Sequence, residues 1–303
     1  MNLRNFKLPI ITKDMLEEAS RQSYICDREY PENFSNWFPC IKSSGKFYIP
    51  RVVANQVFTY EEVQQMQQTD LFDMVDWDLI NKILQPTLDI MKPNKVYIIK
   101  NGCFSNKFEF DTCLATRENL AQQLWKINYM SSLYSTGGYT ELVVREYVCC
   151  DLTKYLTIYN GMPLRTEIRV FYNMDTKQIE YSVDYWDYEY CYPHIRNLND
   201  KIVFNAFHNK FKTDVTNHKM EYRMVLNEIQ QKIETLQFDG LNGIWSIDFM
   251  FDADNNKIYL IDMARGERSA YWDFGKLSNE TKKKIRRKLI WMIILYISVI
   301  ILR

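Results

Sequence analysis

This sequence is poor in most of the features from which an activity is read. It has no excess charge: 38 basic residues balance 38 acidic ones, so no global field draws in a polyanion and no nucleic-acid partner is expected. Histidine is scarce, with only 3 in the chain. His194, His208 and His218 lie far apart in sequence, which favours neither a zinc site nor a Ser/His/Asp relay. The 7 cysteines are odd in number, include no Cys-x-x-Cys pair and follow no N-terminal signal sequence, so reduced thiols in a cytoplasmic protein are expected rather than a disulfide frame. Adjacent Cys149 and Cys150 read as two positions on opposite faces of a strand end. There is no internal repeat, no low-complexity linker, no Gly-x-x-x-x-Gly-Lys-Ser/Thr loop and no Gly-x-Gly-x-x-Gly turn.

What is present is a core. With 47% apolar residues over 303 positions, the chain suffices for one large or two modest globular domains. Residues 1–40 are irregular apart from an acidic amphipathic piece, Asp14 to Arg21, and aromatic residues around Trp37; their function is not legible. Lys46 to Val53 reads as a strand, and Thr59 to Glu62 forms a capping box that starts a polar helix through Gln68. A helix from Trp77 to Met91 is expected to be interrupted at Pro86. Thr116 is expected to open a helix to Ser132 with Leu120, Leu124 and Ile127 on its buried stripe. Gly137 and Gly138 break the chain before a strand, Glu141 to Val148. Ile179 to Tyr188 reads as a strand antiparallel to Arg165–Tyr172, and Tyr222 to Leu236 as an amphipathic helix.

The most informative stretch is Gly243 to Phe274. From Ile244 the residues alternate with a period of two, putting Ser246, Asp248 and Met250 on one face and Trp245, Ile247, Phe249 and Phe251 on the other. A turn-rich run, Asp252 to Asn256, follows, and Lys257 to Ala264 alternates again, with Ile258, Leu260, Asp262 and Ala264 expected to share a face, so the stretch is a hairpin. A loop with an odd number of residues centred on Asn255 opposes Asp248 and Asp262 on one face, their Cβ atoms roughly 5 Å apart. Unless one takes up a proton, such a pair needs a cation between them, and Mg²⁺ requires only one or two carboxylates when a phosphate supplies the rest. A two-residue Asn-Asn loop shifts the register by one and makes Asp248 an ordinary solvent-facing acid. A calcium-binding loop is rejected, because Lys257 and Met263 stand where its glycine and glutamate belong.

Two further places carry charge in a pattern. The strand Lys95 to Lys100 runs into a loop with Gly102 and Ser105 flanked by Lys100 and Lys107, which can offer backbone N–H groups and two ammonium charges to a polyphosphate; an exposed turn lysine of no function has the same sequence. In Arg165 to Tyr172, alternation lines up Arg165, Glu167 and Arg169, either as a solvated edge or as a clamp for a triphosphate or acyl phosphate.

Taken in order across roughly residues 95–275, these segments resemble the ATP-grasp superfamily. Within it the chain is most similar to the branch that holds the eukaryotic assembly chaperone for translation initiation factor two and bacterial and phage relatives marked by an arginine and two lysines. Lys100, Ser105 and Lys107 match that branch's loop, Glu167 and Arg169 its Glu-x-Arg strand, and Asp262 with Gly266 and Glu267 its Asp-x-Asn-Pro ending and following Gly-Glu. The resemblance implies an α+β ATP-grasp fold with a nucleotide cleft between a small lysine-bearing subdomain (93–148) and a larger C-terminal subdomain (149–277), after an N-terminal domain (1–92). It implies that Lys100 and Lys107 hold phosphates, with Ser105 and Glu167 in the same nucleotide site, that the backbone of Glu146, Tyr147 and Val148 holds adenine, and that Asp248 and Asp262 hold Mg²⁺. Arg165 and Arg169 would steady the transferring group.

The implied activity is ATP- and Mg²⁺-dependent ligation, in which an unidentified carboxylate becomes an acyl phosphate and an amine displaces phosphate. The alternative is a nucleotide-binding assembly factor that holds a peptide or protein partner without turnover. Covalent nucleotidyl transfer through Lys100 fits less well, because Lys100-Asn101-Gly102 lacks one residue of the usual motif. One departure bears on the choice: Ala264 stands where the family has a metal-ligating Asn, so either Glu267 substitutes as catalytic ligand or fewer ions are held.

The chain ends in a basic run, Lys282 to Lys288, before LIWMIILYISVIIL (278–303 overall). As a helix, that uncharged run spans about 21 Å against a hydrocarbon core of roughly 30 Å, so a spanning anchor is disfavoured. It reads either as a buried terminal helix or as a membrane-associating tail.

Overall fold

The computed structural model describes residues 12–67, 74–134, 136–137, 139–213, 217–287 and 290. Gln68, Gly138 and all of the apolar run 289–302 except Ile290 lie outside the described residues. The described chain is mixed α and β with antiparallel sheets, and it falls into two compact units. The first draws on residues up to Pro39, Pro50–Cys149 and Tyr159–Met162; the second on Cys40–Ile49, Cys150–Ile158 and Pro163 onward.

In the first unit, helix α1 (Lys13–Arg28) is capped by the Thr12 hydroxyl, which accepts from the Met15 N–H at 3.2 Å. Strand β1 is Val52–Val57, not the Lys46–Val53 segment expected, because the chain before Pro50 belongs to the other unit. The capping box is present in both directions: the Thr59 N–H donates to Glu62 at 2.7 Å and the Glu62 N–H to Thr59 Oγ1 at 3.2 Å, opening α2 (Tyr60–Gln67). Helix α3 (Trp77–Ile90) runs through Pro86 without a break. The proline removes one backbone bond, but buried Ile83, Leu84, Thr87 and Leu88 hold both sides of it to the core.

Strands β2 (Tyr97–Asn101) and β3 (Leu114–Ala115) precede α4 (Leu120–Leu133). This helix starts four residues later than expected, because the Thr116 N–H donates to Asn119 Oδ1 at 2.7 Å and closes a turn there instead. With β4 (Glu141–Glu146) they form an antiparallel sheet ordered β1-β4-β2-β3. Its helix-covered face buries Tyr97, Ile99, Leu142 and Val144 against Leu84, Leu124 and Ile127. Period two therefore sends Lys100, Val143 and Arg145 to the other face.

The second unit holds β5 (Glu167–Asn173), β6 (Gln178–Asp184), α5 (Leu198–Thr213), α6 (Asn217–Lys232), β7 (Ile244–Asp252) and β8 (Lys257–Arg265). The β6 strand stops at Asp184 rather than Tyr188, because Asp187 caps a helical turn over Tyr188–Cys191 by accepting from the Tyr190 N–H at 2.9 Å. The sheet runs β8-β7-β5-β6, antiparallel throughout. One face buries Ile168, Val170, Ile247, Phe249 and Leu260. Onto the other are packed Trp272, Phe274 and Leu277 from the segment after β8, and Ile285 from a helix over 279–287. Among the described residues no helix is long and apolar enough to cross a membrane.

Candidate functional site

The paired aspartates stand together, by a route that loop parity does not foresee. Asp252 lies opposite Lys257, which leaves a loop of even length, and Phe249 lies opposite Leu260. Continued, that register would set Asp248 against Ile261. A bulge in β8 at Ile261 absorbs one residue, and Asp248 faces Asp262. The extra residue restores the shared face.

Across the other edge of β7, Asp248 lies opposite Arg169 of β5. The Arg169 guanidinium donates from Nε to Asp248 Oδ1 and from Nη2 to Oδ2, both at 2.7 Å, with the residues 9% and 6% exposed. This is the two-pronged geometry that makes arginine–carboxylate pairs strong. The third nitrogen, Nη1, donates to the Ala270 carbonyl at 3.2 Å, and the guanidinium carbon lies 4.9 Å from the Tyr185 ring centre. Burial works against the Arg169 charge, but the Asp248 carboxylate and then Asp262 hold its pKa above the ordinary arginine value. The counter-charge that sequence reasoning sought in a metal ion is thus supplied to Asp248 by the chain itself.

The other residues expected here are placed less uniformly. Glu167 opens β5 opposite Met250 and is half-buried. Arg165, before the strand, is buried with Nη1 3.5 Å from the Met250 sulfur and its guanidinium 5.8 Å from the Tyr155 ring. Asp262 is half-buried and accepts from the Met263 N–H through Oδ1 at 3.0 Å. Glu267 lies in a turn after β8 and accepts from Arg265 Nη2 at 3.0 Å. Among the described residues no three His, Cys, Asp or Glu side chains gather as a metal site. Asp248 and Asp262 nonetheless fit the one-or-two-carboxylate requirement of a phosphate-bound Mg²⁺, since each carboxylate has about four acceptor positions and Arg169 takes two of those on Asp248.

Sequence reasoning missed the strap that closes over this pair. Ser269 to Tyr271 lies across the sheet, held by the Ser246–Ser269 hydroxyl pair at 2.6 Å, the Tyr181 hydroxyl donating to the Tyr271 carbonyl at 3.1 Å, and the Tyr271 hydroxyl donating to the Tyr185 carbonyl at 2.6 Å. Tyr271 has φ of 67°, a left-handed conformation that a tyrosine keeps only where its surroundings hold it. A groove of 770 Å³ borders the strap, lined by Asp184, Asp187, Tyr222, Tyr271 and Trp272 among others; neither Asp248 nor Asp262 lines it. Burial first, then the Asp187 carboxylate, push Asp184 up to about 6 against the Trp186 N–H that lowers it.

In the first unit, Lys100 is 3% exposed, so it is no free turn lysine. The loop after it is tightly built: the Asn101 N–H donates to the Phe104 carbonyl at 3.1 Å, and the Phe104 N–H donates back to Asn101 Oδ1 at 3.0 Å. A Cβ on Gly102 would lie 2.2 Å from Asn33 Oδ1 and 2.6 Å from Glu141 Oε1, so a close approach explains this glycine. Ser105 and Lys107 are half-buried at the start of a 3₁₀ stretch. Glu146 ends β4, where Lys95 Nζ at 2.7 Å holds its carboxyl below the ordinary range. Tyr147 and Val148 follow outside regular structure, the Tyr147 ring 6.2 Å from Phe110.

No protein-family model matches this chain, and no curated protein matches it. Among solved structures it is similar to Cdc123 from Schizosaccharomyces pombe, at a TM-score of 0.44 and 13% identity over 83% of this chain and 88% of that one. A C-terminally truncated form of Cdc123 gives a TM-score of 0.44 and 13% identity over 87% and 90%. At that score the likeness carries nothing about site or chemistry.

Proposed function

We propose that this chain is an ATP-grasp-type protein that binds ATP with Mg²⁺ and uses it to join a carboxylate to an amine through an acyl phosphate. The observation that carries the reading is the direct opposition of Asp248 and Asp262 on one sheet face, in a chain whose charged motifs follow one another in the order of that superfamily. Asp248 and Asp262 would hold the metal, and Lys100 and Lys107 the phosphates. Bound Mg²⁺ would neutralise charge on the phosphates. Arg169 fixes the orientation of the Asp248 carboxylate through two short bonds, so the pair is rigid before any ligand arrives.

A second reading, a nucleotide-binding assembly factor without turnover, is favoured by one feature. Ala264 offers no ligand, and the carboxylate that would replace the missing Asn, Glu267, is taken up by Arg265. An exposed pair of this kind is worth at most about 1 kcal/mol, so Glu267 is restrained and not locked away.

Product analysis with labelled ATP, against a panel of amino acids and peptides, separates the two. The ligase reading expects ADP and phosphate in equal amounts, dependent on an acceptor and slowed in Glu267→Gln. AMP and pyrophosphate released with an acceptor would contradict the ligase mechanism. ATP bound without turnover, alike in wild type and E267Q, would favour the assembly factor.

A further inference from the structure

A chain of zero net charge carries a concentrated basic run before its uncharged stretch. Over residues 279–287 there are 5 basic side chains against one acid, Glu280. The helix there is docked by its N-terminus: Ser278 caps it by accepting from the Thr281 N–H at 3.2 Å, and the Ser278 N–H donates to Glu180 Oε2 at 2.7 Å. Thr281 is buried and bonded to both Glu180 and Asn173. Burial raises the Glu180 pKa, but the donors from Asn173, Thr281 and Ser278 outweigh it and hold the carboxyl below its ordinary range. Thr281 and Ile285 therefore face the sheet, and helical spacing turns Lys283 and Arg287 outward.

The basic residues divide by task. Lys282 donates to the Gly275 carbonyl at 2.7 Å and Arg286 lies 5.7 Å from the Phe274 ring, so these two help dock the helix. Lys283, Lys284 and Arg287 are exposed and make none of these docking contacts. Ile290, three residues beyond Arg287 in sequence, is 55% exposed. A basic face with an apolar residue at its edge, leading in sequence into an uncharged run, matches a surface of anionic headgroups above acyl chains better than it matches a nucleic acid.

We propose that Lys283, Lys284 and Arg287 form an electrostatic docking face for anionic lipid headgroups, with Ile290 at its apolar margin. Each basic residue near such a surface contributes about a fivefold increase in partitioning. The test is co-sedimentation of the full chain with vesicles of phosphatidylcholine alone or with 30 mol% phosphatidylserine, at about 0.1 M and then about 0.5 M salt, where screening is stronger. Binding to the serine-containing vesicles is expected, reduced by salt, and reduced about a hundredfold in Lys283→Ala/Lys284→Ala/Arg287→Ala. Thermal unfolding of the variant checks its fold, and the salt dependence of wild type reads the same charge without substitution. Equal binding to both vesicle types, no binding to either, or wild-type binding by the folded triple variant would overturn the proposal. So would retention of single-stranded RNA by this face in place of vesicles.

Discussion

Replacing Asp248 with Ala is expected to lower the stability of the second unit by about 3–5 kcal/mol, the usual cost of stranding one partner of a buried ion pair. Arg169 would be left nearly enclosed, its charge beside the Ala270 carbonyl, the Tyr185 ring and the half-buried Asp262, without a bonded carboxylate of the Asp248 kind. Chemical denaturation followed by tryptophan fluorescence, with Trp245 and Trp272 near the sheet, reads the change. The double variant Asp248→Leu/Arg169→Met should recover most of the loss, because two apolar side chains of similar volume replace a pair whose desolvation consumed much of its attraction. Loss of less than about 1 kcal/mol in the single variant would mean that the pair behaves as a solvated one.

Asp184→Asn is expected to act in the opposite direction and to depend on pH. In the folded chain Asp184 titrates at about 6, against an ordinary value of 3.8. The fold therefore prefers the protonated acid, and the stabilisation this gives is complete below the unfolded value and lost as pH rises through the folded one. Asparagine keeps the acceptor for the Trp186 N–H, a bond of 2.9 Å, and never ionises. Above pH 6 the variant should be more stable than wild type by on the order of 2–3 kcal/mol, and the two should converge below about pH 4. A variant less stable than wild type at neutral pH would show that the Asp184 charge is used, as by a cation in the adjoining groove.

How much of this was legible in the sequence follows from which interactions are local. The capping box at Thr59 and the alternation through β7 depend on neighbours within a few residues, and both appear where the sequence places them. The single face read through β8 is corrected, because the bulge at Ile261 leaves Ile258 and Leu260 on the core face and sends Asp262 and Ala264 to the other. Helix α4 starts late because a side chain chose a turn over a cap, a competition between two local bonds of similar strength that spacing alone does not resolve. The opposition of Asp248 and Asp262 depends on a bulge whose residue, Ile261, looks like any other strand isoleucine. Arg169 shares a face with Glu167 by alternation, but its partner is 79 residues away and is set by the choice of β5 as the neighbour of β7. The strap over the pair rests on long-range tyrosine hydroxyl bonds and a left-handed Tyr271, for which the sequence carries no signal. Lys100 ends the strand that KVYIIK predicts, with a functionless exposed turn lysine as the alternative; the strand continues to Asn101 and the lysine is enclosed, which spacing within six residues does not reveal.

The central claim is that Asp248 and Asp262 hold a nucleotide-bound Mg²⁺, and titration calorimetry of MgATP into the full chain tests it most directly. Asp262→Asn is the informative variant, because Asp262 is half-buried and its change leaves the Asp248–Arg169 pair in place. The account predicts that wild type binds MgATP, that removing Mg²⁺ with a chelator weakens binding, and that D262N and Lys107→Ala each lose about ten- to a hundredfold in affinity, the worth of one charge-assisted contact. An affinity that is the same with and without Mg²⁺ and unchanged in both variants, or the absence of any binding by the folded wild-type chain, would contradict it.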